Sequence, residues 1–253
     1  MNQTKIALVT GGSRGLGKDM ALRLAHKGLD VIITYRSKKE EADAVVAEIK
    51  SMGRQATSLS LDMEAFSNLD SFVQAFAIEL KTIWKSEGFD YLVNNAGMGA
   101  TVPFETVTEE LFDSFLNVHY KGVYFLTQKL LPFLRPGGGI VNISSGTTRF
   151  ANPGYSVYAS MKGAIEVLTK YWAKELGPKG IRSNVVAPGP IETDFNNAAI
   201  RNNPQMKERL SGLSPLGRVG RAEDIGGVVA FLCTEEGSWI NGQRIEVSGG
   251  ING

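Results

Sequence analysis

Short runs of consecutive apolar residues alternate along this chain with longer stretches in which apolar residues return every three or four positions. Ile6-Ala7-Leu8-Val9-Thr10 has no polar alternation, which predicts a strand buried on both faces. From Leu16 to His26 the apolar residues Leu16, Met20, Leu22, Leu24 and Ala25 follow helical spacing, and Gly28 stops the helix. Val31 to Tyr35 is a second strand. Strand, glycine turn, helix and strand make a βαβ unit whose helix N-terminus is placed to meet an anion. The alternation continues. Helices are predicted over 38–52 and 66–81, with 81–85 a helix extension or a loop. Strands are predicted over 56–61, 89–93, 139–144, 181–187 and 243–247. One long helix is predicted from Thr108 to Leu134 with Thr108 as N-cap; a full capping box is excluded because Leu111 stands three residues on. Further helices cover Tyr158 to Leu176 and Ala222 to Cys233. The sum is an α/β fold: one doubly wound parallel sheet of seven strands, helices on both faces, within a single domain spanning 1–253.

Composition narrows the class. A net charge of +1 gives no general pull toward nucleic acid or an anionic membrane. Cys233 is the only cysteine, so a disulfide scaffold and a cysteine zinc site are excluded and a reducing compartment is expected. No apolar run approaches membrane-spanning length, and Ile6 to Val9 is too short for a signal-peptide core. The expected setting is cytoplasmic. The 29 glycines are clustered, which predicts tight turns where backbone approaches a ligand.

Two stretches carry candidate chemistry. In Thr10-Gly11-Gly12-Ser13-Arg14-Gly15-Leu16-Gly17 the glycines are spaced G-x3-G-x-G. A P-loop reading of Gly12 to Lys18 fails at Asp19, where a hydroxyl is needed for magnesium. The second stretch is Tyr158-Ala159-Ser160-Met161-Lys162. On a helix its phenol and ammonium share one face, one turn apart. A nearby cation lowers a phenol pKa, so the pair can act as a general acid/base. Tyr35 and Lys39 have the same spacing without that context, and Tyr155 lacks a cation four residues on. His119 is read as structural because Tyr158 already fills the role of base; His26 likewise, and two separated histidines suggest no metal site.

Gly11/Gly15/Gly17, Asn94-Asn95-Ala96-Gly97, Ser145 and Tyr158/Lys162 together resemble the short-chain dehydrogenase/reductase family, in its branch of about 250 residues, with 3-oxoacyl-[acyl-carrier-protein] reductase-like and sugar or alcohol dehydrogenase-like members equally resembled. The resemblance covers essentially the whole chain, with the motifs in order. It implies a Rossmann-type fold and reversible hydride transfer between a nicotinamide cofactor and a carbonyl or alcohol. It assigns Asn117, Ser145, Tyr158 and Lys162 as catalytic: Ser145 polarises the carbonyl, Tyr158 delivers the proton, Lys162 lowers the tyrosine pKa and binds ribose, and Asn117 opens its helix and holds a relay water. It assigns to the cofactor Gly11, Ser13, Arg14, Gly15, Leu16, Gly17, Tyr35, Arg36, Ser37, Asp62, Met63, Asn94, Ala96, Gly97, Tyr158, Lys162, Pro188, Gly189, Ile191 and Thr193. Asp62 is also a candidate N-cap for the following helix.

The second strand ends in Tyr35-Arg36-Ser37, without the acid that binds a ribose 2′-hydroxyl. Arg36 and Arg14 suit a 2′-phosphate instead, so NADP(H) is favoured, with NAD(H) possible. The polar stretch of about 190–212 reads as a mobile lid over the substrate. Thr147, Thr148, Arg149, Phe150 and Asn152 are expected to border the pocket. The expected partners are a small-molecule carbonyl or alcohol and copies of the same chain, as a homotetramer or homodimer. The alternative is a non-catalytic NADP(H)-binding sensor; relatives of that kind generally lose the Tyr or the Lys, and this chain keeps both.

Overall fold

A computed structural model describes residues 4–251. The apolar runs become seven parallel strands in the order β3-β2-β1-β4-β5-β6-β7. These are β1 (Ile6–Val9), β2 (Asp30–Tyr35), β3 (Ala56–Ser60), β4 (Phe89–Asn94), β5 (Leu134–Ile143), β6 (Arg182–Pro188) and β7 (Arg244–Val247). Helices α1 (Gly15–His26), α2 (Lys39–Ser51) and α3 (Leu69–Trp84) connect the first four strands. Next come α4 (Glu109–Leu116), α5 (Gly122–Leu130) and α6 (Ser156–Leu176), then α7 (Phe195–Asn202), α8 (Pro204–Leu213) and α9 (Ala222–Leu232).

Strand alternation divides the core into two layers. Ala7, Val9, Val31, Ile33, Val93 and Val186 pack with residues of α1, α2 and α9 on one face. Ile6, Leu8, Ile32, Leu92 and Val185 pack with residues of α3, α5 and α6 on the other. The second layer is aromatic: Phe76 meets Phe89 edge-on at 5.0 Å between centroids. Strand order reverses between β1 and β4, which opens a crevice at their carboxyl ends.

Two expectations need correction. The stretch 108–134 is not one helix. Thr108 Oγ does accept from the Leu111 amide, at 3.2 Å. But α4 ends at Leu116, a π-helical turn covers Asn117–Lys121, and α5 ends at Leu130. Gly122 fits the wide turn because a Cβ there would lie 2.7 Å from the Asn117 carbonyl oxygen and 2.8 Å from that of Met63. Pro132 follows the helix, and β5 already begins at Leu134, paired with Phe89 rather than first at Gly139. The polar stretch of about 190–212, expected as a lid, is occupied mostly by α7 and α8, with Asn196, Asn197 and Ala198 inside α7 in left-handed rather than helical conformation. The segment 81–85 extends α3 to Trp84, and Lys85 closes it in the left-handed conformation. Among the described residues no helix is long and apolar enough to cross a membrane.

Candidate active site

After β1 the chain turns through its glycines. Gly11 and Gly15 have φ of +65° and +55°. A Cβ on Gly11 would lie 3.0 Å from Ala96 Cα, and one on Gly17 only 2.1 Å from the Gly11 carbonyl oxygen. Both clashes are with backbone, so only glycine fits. Thr34 at the end of β2 anchors the turn, its Oγ1 accepting from the Gly11 amide at 3.0 Å. Asn95 anchors the other side, donating through Nδ2 to the Thr10 and Gly11 carbonyls at 2.9 and 3.2 Å. Thr10 Oγ1 accepts from the amides of Asn95 and Ala96. Asn94 lies deeper, its Nδ2 donating to Asn142 Oδ1 and Thr127 Oγ1 at 2.9 and 3.1 Å.

Helix α1 starts here without a side-chain cap and without an acid in its first turn. Its first amides are therefore unclaimed by side chains and its positive end faces the crevice. Ser13, Leu16 and Tyr35 are half-buried at the crevice, while Arg14, Arg36 and Ser37 are exposed. Asp19 turns away, with Oδ2 packed against Gly226 of α9, which disposes of the P-loop reading. Asp62 Oδ1 accepts from the Glu64 amide at 3.0 Å, and α3 starts beyond Asn68, so Asp62 closes a local turn rather than capping that helix. Met63 is buried. Pro188 ends β6, and the Gly189 amide donates to the Val247 carbonyl. Ile191 bridges to Gly220, and Thr193 lies over the glycine turn, 3.8 Å from where a Gly15 Cβ would be.

Ser145 follows β5 in extended conformation. Its Oγ accepts from the Thr147 amide at 3.2 Å and from Thr147 Oγ1 at 3.0 Å. With both lone pairs engaged, its own O–H is left to donate. Ser144 points the other way, donating to Glu166 Oε1 at 2.7 Å. On α6, Lys162 is buried and its Nζ donates to the Ile143 carbonyl at 2.8 Å. That Nζ stands 5.6 Å from the Tyr158 ring centroid. Among the described residues Nζ has no second acceptor, which leaves two of its three donor positions for a ligand or water. Asn117 is half-buried at the start of the π-helical turn, and its carbonyl accepts from the Gly122 amide. The rival Tyr35/Lys39 pair is split between a strand and a helix, and Lys39 pairs with Asp43 at 2.5 Å.

Burial dominates the electrostatics. It pushes the Tyr158 phenol up to about 12, against the pull of the Ser145 hydroxyl, and pushes the Lys162 ammonium down to about 8. The expectation that Lys162 holds the phenol below its ordinary value is therefore corrected. Loss of water outweighs the pull of its cation, whose Nζ lies 5.6 Å from the ring centroid.

Sequence reasoning missed the aromatic enclosure of Tyr158. His119, Tyr155 and Phe195 ring centroids lie 5.2, 6.3 and 5.8 Å away. It also missed a latch. Asn196 Nδ2 donates to Thr101 Oγ1 at 3.0 Å and to the Tyr155 hydroxyl at 3.1 Å, tying α7 to both walls of the site. A side chain's hydrogen-bond partner on a distant loop leaves no local pattern to read. Thr148 and Arg149, expected to border the pocket, both have carboxylate partners. Thr148 donates to Glu166 at 2.7 Å, and Arg149 pairs with Glu246 at 3.1 Å, both in a network reaching Arg244 of β7.

Fold and site together define the class: a doubly wound α/β protein with a glycine-lined crevice and a Tyr–Lys–Ser cluster at the strand ends. The family model described as enoyl-(acyl carrier protein) reductase matches residues 11–252. An uncharacterized oxidoreductase of Methylorubrum extorquens is 38% identical over 247 residues, covering 98% of this chain and 97% of that protein. The 3-oxoacyl-[acyl-carrier-protein] reductase FabG of Staphylococcus aureus is 35% identical, with 99% of each chain covered. The crystal structure of the angucycline C-6 ketoreductase LanV with bound NADP superimposes with a TM-score of 0.94 at 36% identity, covering 99% of this chain and 96% of that one. The chain belongs to the short-chain dehydrogenase/reductase family.

Proposed function

We propose that this protein is an NAD(P)(H)-dependent oxidoreductase interconverting a carbonyl and an alcohol, with NADP(H) preferred. The observation that carries the reading is the cluster of Tyr158, Lys162 and Ser145 at the carboxyl end of β5, beside the crevice at the β1/β4 reversal. The crevice suits a dinucleotide: glycines where a Cβ would strike backbone, and uncapped amides at the α1 N-terminus. Gly11 to Gly17, Ala96, Gly97 and the 188–193 segment would hold it. When bound, it supplies or accepts the hydride.

The chain's own residues do the rest. Ser145 donates its O–H, which otherwise faces the Tyr158 phenol, to the carbonyl oxygen. Tyr158, protonated at neutral pH, gives its proton to the forming alkoxide. Lys162 would hold the ribose hydroxyls through its two open donors, and its charge compensates the phenolate as it forms. Asn117, in the widened turn, holds the water that reprotonates this relay. Arg14 and Arg36, both exposed, would meet the 2′-phosphate. FabG and LanV are named as a 3-oxoacyl-[acyl-carrier-protein] reductase and a C-6 ketoreductase, which favours ketone reduction here. The same reading makes the protein a cytoplasmic homotetramer or homodimer. Support comes from Val167 and Tyr171, 55% and 62% exposed on α6.

The test is a panel of ketones, 3-oxoacyl thioesters and sugars assayed with NADPH and NADH side by side, on wild type and Arg36→Ala. NADPH oxidation with at least one carbonyl is expected. Arg36→Ala should cut kcat/KM for NADPH about tenfold, the scale of one charge-assisted hydrogen bond, and leave NADH within twofold or so. NADPH that bound tightly with no reaction across the panel would favour a sensor.

A further inference from the structure

The helix that carries Tyr158 and Lys162 is fastened to the end of β5 by side chains in three successive turns. Lys162 Nζ donates to the Ile143 carbonyl at 2.8 Å, and Thr169 Oγ1 accepts from Asn142 Nδ2 at 2.9 Å. Between them stands Glu166, one turn beyond Lys162, its side chain 16% exposed. Its Oε1 accepts from three donors: the Ser144 hydroxyl at 2.7 Å, the Thr148 hydroxyl at 2.7 Å and Arg244 Nε at 2.8 Å. Arg244 also donates through Nη2 to Thr148 Oγ1 at 3.1 Å and through Nη1 to Glu246 Oε2 at 2.9 Å. Ser144 and Thr148 stand on either side of the turn that holds Ser145. Within it the Thr148 amide donates to the Ser145 carbonyl, and the amide and hydroxyl of Thr147 donate to Ser145 Oγ. A half-buried ion pair adds little net stability, because lost hydration offsets the attraction. What three donors on one oxygen supply is direction. Displacing a reacting group by about 1 Å can cost roughly a hundredfold in rate.

Resting on the reaction proposed above, we propose that Glu166 is a positioning residue that acts through Ser145. Oriented by Arg244 of β7, its carboxylate holds Ser144 and Thr148 and so ties the serine turn to the helix of Tyr158. One side chain thereby sets the spacing between the group that polarises the carbonyl and the group that protonates it. None of these bonds involves the glycine turn, so cofactor binding does not depend on them.

The test is a double-mutant cycle in single-turnover oxidation of bound NADPH by a working ketone, with wild type, Glu166→Ala, Ser145→Ala and the double variant. Glu166→Ala should lower the rate about ten- to a hundredfold, with NADPH affinity within about twofold of wild type. In the Ser145→Ala background the same substitution should change the rate by less than about threefold, because the group it places is gone. A merely structural role would lower the rate by the same factor in both backgrounds. Equal factors overturn the proposal, as does a wild-type rate in Glu166→Ala. If that variant fails to fold, Thr148→Val removes one anchor at nearly constant volume and enters the same cycle. Its loss should again vanish without Ser145; an equal loss in both backgrounds, or none, overturns the proposal. Amide hydrogen exchange on the free protein separates the two readings. In the folded variant the amides of 147–150 should exchange about tenfold faster than in wild type, with no substrate needed. Unchanged exchange would overturn the grip of Glu166 on the turn. Faster exchange in a protein that binds NADPH and reduces nothing would sink the proposed reaction and leave that grip standing.

Discussion

Burial acts on Tyr158 and Lys162 in opposite directions, and the sign of each effect fixes a pH dependence. The phenol, raised to about 12, stays protonated through the working range, which is the form that donates in carbonyl reduction. The ammonium, lowered to about 8, is charged at pH 7 and loses its proton as pH rises through 8. The kcat/KM for reduction should therefore fall above pH 8 along a single ionisation, well before the phenol titrates. Arginine at this position stays charged to far higher pH. Measured pH profiles should place the basic limb of Lys162→Arg above that of the wild type, even at reduced rate. A limb at the same pH in both proteins would assign it to another group. None of this was legible in the sequence. Spacing could say that Tyr158 and Lys162 share a helix face. It could not say that the cation would turn toward the Ile143 carbonyl, or how completely both groups would lose water.

Among the elements, those formed by local pattern were readable and those formed by long-range contact were not. Ile6 to Val9 and Val31 to Ile33 are uninterrupted apolar runs, Phe89 to Val93 is broken only by Asp90, and each became a strand. Leu134 to Gly138 has no such run; it joins β5 only because Phe89 and the strand beside it offer pairing. The π-helical turn kept nearly helical apolar spacing on either side, so periodicity could not expose it. The helices of the expected lid were not readable because its many asparagines are poor helix formers, whereas Asn196 and Asn203 use their amides structurally. Asn203 caps α8 through the Met206 amide. Asn196, Asn197 and Ala198 all take left-handed conformations, with φ of +53°, +56° and +56°. Such a turn costs about 1–2 kcal/mol per residue outside glycine, least for asparagine. The latch to Thr101 and Tyr155 opposes that strain. Asn196→Ala removes both hydrogen bonds and adds strain, so the lid should open more often. Limited proteolysis should cut within 195–213 several-fold faster, and KM should rise a few-fold with kcat nearly kept. Unchanged cleavage would show that the latch does not hold the lid.

At the scale of the molecule, separate segments deliver the parts of the site to one edge of the sheet. β1 brings the glycine turn, β4 the Asn94-Asn95-Ala96-Gly97 segment, β5 Ser145, β6 the Pro188-Gly189 segment, and α6 the Tyr158–Lys162 pair. Hydrogen bonds cross between them, from Asn95 to the glycine turn and from Lys162 to the end of β5. Arg244 of β7 closes the far side, donating to Glu166 of α6 at 2.8 Å. This convergence is why motifs spread from Gly11 to Thr193 were visible in the sequence as one pattern, while the enclosing shell of Phe195, Asn196 and His119 was not. The shell depends on which side chains meet across the crevice. The most direct measurement is single-turnover oxidation of bound NADPH by a working ketone in Tyr158→Phe, with NADPH affinity measured on the same protein. The predicted result is affinity near wild type and a rate lower by about 100- to 10,000-fold, the contribution of a positioned general acid. A rate within a few-fold of wild type would mean that the proton reaches the alkoxide by another route.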